Sequence, residues 1–118
     1  NLNLFEEAVR AYYKCIGLKD DRLEVYLALA DVLHFLGEYH EASRVLLDAR
    51  EMYKDQVEIS YRLGGLFFLV QKEKEALFFL ETALKTDFSY LKEVQTLFPT
   101  IFEKREVQDM IARFKPES

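Results

Sequence analysis

Apolar residues recur along this chain at helical spacing, and the pattern itself returns every 34 residues. Within 23–56, Tyr26, Leu29, Ala30 and Leu33 are followed by Gly37, then by Tyr39, Ala42, Leu46 and Ala49. Moved forward by 34 positions, Leu29 meets Leu63, Ala30 meets Gly64 and Leu33 meets Phe67. Glu41, Ala42, Leu46 and Ala49 meet Glu75, Ala76, Leu80 and Ala83. Moved backward, the second half returns as Phe5, Glu7, Ala8, Tyr12 and Cys15. Spacings of three and four put each set on one helix face. A fixed period of this length marks a stacked-repeat architecture.

The pattern predicts helices from Asn3 to Gly17, Leu23 to Leu36, Tyr39 to Tyr53, Gln56 to Val70 and Glu73 to Lys85. Asn3 with Glu6, Asp21 with Glu24 and Asp55 with Glu58 have capping-box spacing, and Gly17 and Gly37 suit helix stops. The run from Leu66 to Val70 is compatible with a buried strand by periodicity alone, but the repeat register makes it helix. Ser89 is expected to cap a helix from Tyr90 to Phe98. Pro99 then forces a kink or restart, because proline removes a donor and clashes with the preceding turn. Val107, Met110 and Phe114 give a last helix, Lys104 to Phe114, its apolar face. Small residues at Ala30/Gly64, Ala42/Ala76 and Ala49/Ala83 are expected where helix backbones approach, with larger ones filling the remaining volume.

The same positions resemble the tetratricopeptide repeat family, whose pattern is W-x2-L-G-x2-Y, then A-x3-F, a later alanine and a closing proline. Tyr26, Leu29, Ala30, Leu33, Ala42, Leu46 and Ala49 fill those places in one repeat. Leu63, Gly64, Phe67, Ala76, Leu80 and Ala83 fill them in the next. Ser60 departs from the family's tryptophan, Lys54 and Phe88 from its proline, and Phe98 and Met110 from small residues. The resemblance implies an all-α, right-handed superhelix (solenoid) of antiparallel helix pairs, with about seven helices. The expected organisation is one domain over 1–118: the second half of a repeat at 1–19, repeats at 23–56 and 57–90, and a divergent capping pair at 91–118.

The family's register also implies a concave groove lined by the first helix of each pair. Here that lining is Glu24, Leu27, Asp31, His34 and Phe35, then Glu58, Tyr61, Gly65, Phe68 and Leu69, with Lys92, Gln95, Pro99 and Phe102 from the irregular pair. An apolar groove with acidic punctuation suits a partner helix or extended peptide, with Phe35, Tyr61 and Phe68 as anchors. Gly65 would leave a dent between Tyr61 and Phe68. The alternative is that the groove is filled within the molecule, by the C-terminal segment or by upstream repeats. Leu27, Asp31 and Tyr61 stand where some family members place the residues that clamp a chaperone's C-terminal carboxylate, so that subtype is not expected.

Composition narrows the function further. Half of the 118 residues are hydrophobic, and only four Gly and two Pro interrupt them, enough for a continuous core. The formal charge is −5, and of 16 basic and 21 acidic residues five of each fall in 91–118, so the acidic excess belongs to 1–90. That balance argues against phosphate-backbone binding. No apolar run approaches 18 residues and no signal-peptide pattern opens the chain. Starting at Asn1, partway into a repeat, the sequence reads as a piece of a longer protein. Cys15 sits in the small-residue register, a packing position. His34 and His40 have no metal-ligand constellation around them, and no nucleophile–base pair, phosphate loop or cofactor motif is found. Tyr13 and Phe78 point away from their pair cores, toward a neighbouring repeat or a convex-side contact. The expectation is a non-catalytic interaction scaffold for a protein or peptide partner, without cofactor, nucleic acid or membrane insertion. Two rivals are a self-association module and a regulatory segment of a larger enzyme.

Overall fold

The computed structural model describes residues 2–19 and 21–117, and among these it is entirely helical. Seven α-helices follow in order: α1 Leu2–Gly17, α2 Leu23–Phe35, α3 Tyr39–Met52, α4 Val57–Leu69, α5 Glu73–Thr86, α6 Leu91–Gln95 and α7 Arg105–Phe114. Single 3-10 turns lie at Phe88–Tyr90 and Ile101–Glu103. The helices form two compact units, residues 1–54 and 55–118.

In the first unit α2 packs against both α1 and α3. The core is the repeat pattern itself: Leu29, Leu33, Ala42, Leu46 and Ala49 are buried, with Val25, Tyr26 and Val45 beside them. Tyr53 Oη donates to the Asp21 carbonyl at 2.6 Å, tying the end of α3 to the entry of α2. Tyr13 Oη donates to Glu41 Oε2 at 2.5 Å and so joins α1 to α3. The Tyr13 side chain thus meets the neighbouring repeat. Partial burial, then the Glu41 carboxylate, push its phenol up to about 12.

In the second unit α4 and α5 form the main pair, and α7 packs on α5. Gly64 marks the closest approach: a Cβ there would lie 2.6 Å from Leu80 Cγ and 3.3 Å from the Leu80 backbone nitrogen. The Phe67 and Phe79 rings stack with centroids 5.6 Å apart in the same seam. Beyond α5 the chain departs from the repeat. The helix expected from Tyr90 to Phe98 is shortened to α6 plus its leading 3-10 turn, and turns carry the chain past Pro99. Phe98, Ile101, Phe102, Val107 and Met110 are nevertheless buried, so the irregular segment belongs to the core.

The helix ends obey a periodic rule. Gly37 and Gln71, 34 positions apart, both adopt left-handed backbone (φ 82° and 63°). Glu38 N–H donates to the Leu33 carbonyl and Lys72 N–H to the Phe67 carbonyl, each at 2.8 Å. Together with Gly37 N–H to His34 and Gln71 N–H to Phe68, these close a Schellman motif in each repeat. Gly17 is helical, and Lys19 (φ 66°) takes the left-handed position after α1 instead. A side chain costs about 1–2 kcal/mol in that conformation. Gln71→Gly is therefore expected to stabilise the protein by about 1 kcal/mol, read as a higher urea midpoint; an unchanged midpoint would mean that Gln71 carries no strain.

The expected N-caps are corrected. Arg22 and Gln56 occupy the N-cap positions of α2 and α4, without side-chain cap bonds, one residue after Asp21 and Asp55. Asp55 is itself left-handed (φ 64°), in the turn that leaves α3. Asn3 lies inside α1. Asp87, rather than Ser89, caps the 3-10 turn by accepting from Ser89 N–H at 3.0 Å.

Candidate functional site

α2 carries five of the sequence-predicted site residues at spacings that put them along one side of the helix. Glu24 is exposed, and Leu27, Asp31 and His34 are half-buried. The His34 ring packs 5.8 Å from the Tyr39 ring, at the turn between α2 and α3. Phe35 keeps 68% of its surface in solvent. Its ring lies 4.5 Å from that of Phe5 on α1, so two aromatic faces share one patch. Periodicity alone had assigned Phe5 to the apolar face of α1. Its role beside Phe35 needs the packing of α1 on α2, which no local signal encodes.

A cavity of about 470 Å³ opens nearby in the same unit. Val9, Leu33 and Leu36 supply apolar walls, while Glu6, Arg10 and Glu38 supply charge. The sequence held no sign of it, because its walls come from α1 and from the end of α2, the start of α3 and the connection between them.

The second unit overturns the expectation for three residues. Tyr61, Gly65 and Phe68 do not line an open surface. Tyr61 is fully buried, its hydroxyl donates to the Asp87 carbonyl at 2.8 Å, and its ring sits 5.8 Å from that of Tyr90. Desolvation, then the charge of Asp87, raise its phenol well above the usual tyrosine range. The dent at Gly65 is filled: a Cβ there would lie 2.5–2.6 Å from atoms of the Phe98 ring. Phe68 is buried with the Lys104 ammonium 5.9 Å from its ring centroid. In this unit the face of α4 is filled by residues 87–104, the internal occupancy that the sequence left open.

The remaining lining is intermediate. Leu69 and Gln95 are half-buried, and Gln95 borders a cavity of about 240 Å³ with Pro99, Phe102, Glu103 and Gln108. Lys92 and Pro99 are exposed, whereas Phe102 is buried and its carbonyl accepts from the Gln108 amide. Arg62 is a charged residue in this core; it donates to the Glu58 carbonyl at 3.1 Å and to Tyr90 Oη at 3.0 Å. Those bonds meet the requirement that a buried guanidinium keep partners.

Among the described residues no group of three or more His, Cys, Asp or Glu could hold a metal ion. No helix there is long and apolar enough to cross a membrane. What the accessible surface offers is an aromatic pair, a half-buried leucine and carboxylates on one helical face, features suited to gripping another chain. Residues 23–66, covering α2, α3 and most of α4, match the family model described as tetratricopeptide repeat. No curated protein matches the chain.

Proposed function

We propose that this chain, whose residues 23–66 match the tetratricopeptide repeat family, a family whose repeats generally mediate protein–protein interaction, docks a segment of a partner protein on the exposed face of α2. The carrying observation is Phe35, which remains 68% exposed while its ring lies tilted against that of Phe5. An aromatic pair in water costs free energy that a partner's apolar side chain recovers on covering it. Leu27 extends the apolar strip along α2, and Glu24 at its start favours a partner with a basic side chain at that end. Asp31 and His34, between these, supply polar contacts that fix register. The docked segment is an amphipathic helix or extended peptide with one large apolar anchor on Phe35.

Phe35→Ala tests this reading. The ring is largely solvated, so the variant is expected to lose no more than the stacking contribution, about 0.5–1.5 kcal/mol, in a thermal melt. A partner captured on the wild-type protein from cell extract and then titrated against both forms should bind the variant tenfold or more weakly, the loss expected of a hot spot. Equal affinities would move the docking surface away from α2.

A further inference from the structure

We draw no further inference here: the strongest candidate, the cavity of about 240 Å³ between the end of α6 and the start of α7, is lined by Gln95, Pro99 and Phe102 at the register that Tyr61, Gly65 and Phe68 hold on α4, and nothing in the structure shows what covers it.

Discussion

Tyr61→Ala is expected to destabilise the protein by about 3–5 kcal/mol, the range for deleting a large buried ring. Three losses combine in that figure. The fully buried ring leaves a cavity in the second unit, its packing against Tyr90 disappears, and the Asp87 carbonyl loses its 2.8 Å donor. Tyr61→Phe removes only the last and should cost about 0.5–1.5 kcal/mol. Urea denaturation of both variants separates packing from hydrogen bonding. A Tyr61→Ala unfolding free energy within about 1 kcal/mol of wild type would show that the residue is accessible after all. The same side chain imposes a pH dependence. Its phenol is raised in the fold by burial, so the folded state holds the proton more tightly than the unfolded chain does. The resulting stabilisation is complete below the ordinary phenol value of about 10 and is lost as pH rises past it toward the folded value. Tyr13 and Tyr26, both raised first by burial, act in the same direction. Tyr61→Phe should flatten the alkaline fall in stability.

Phe98→Ala is expected to cost a similar 3–5 kcal/mol, since the ring is buried against the backbone of α4 at Gly65. Gly65→Ala attacks the same contact from the other side. Its methyl would sit 2.5–2.6 Å from ring atoms that include Cγ, which cannot swing away as a flexible tip would. Overpacking of this kind costs about 1–3 kcal/mol. With Phe98 already truncated, the three atoms nearest the methyl are gone, and alanine's helix propensity contributes up to about 1 kcal/mol in its favour. The double variant should thus be no less stable than Phe98→Ala alone. A double-mutant cycle measures this directly, and additivity within about 0.5 kcal/mol would deny the contact.

These two experiments bear on Tyr61 and Gly65, which the repeat register had placed on an open surface. The register was sound as a statement about helix faces: Leu27 and Tyr61, Asp31 and Gly65, and His34 and Phe68 are equivalent positions on α2 and α4. It carried no information about what lies over each face. On α2, Phe35 is left largely in water; on α4, Tyr90, Phe98 and Lys104 close over Tyr61, Gly65 and Phe68. The covering residues sit some 30 positions further along, in the stretch where the pattern decays and Pro99 ends α6 early. A second glycine beside Gly64 was the one local hint, and it read as a dent between Tyr61 and Phe68 without naming Phe98 as what fills it.

The existence and approximate bounds of α1 to α5 were legible because they rest on near neighbours. Amphipathic spacing, the small residues in each pair seam and the stop at Gly37 all involve residues within one or two turns, or one hairpin, of each other. The sequence by itself therefore determined an all-helical repeat chain, the extent of α1 to α5 to within a residue or two, and the residues of each pair core. The tertiary structure alone decided which of two equivalent faces is accessible, that Phe5 joins Phe35, and that Tyr61 and Phe68 are core. The reason is physical: burial depends on the sum of remote segments that fold over a face, and that sum is not a property of the face itself.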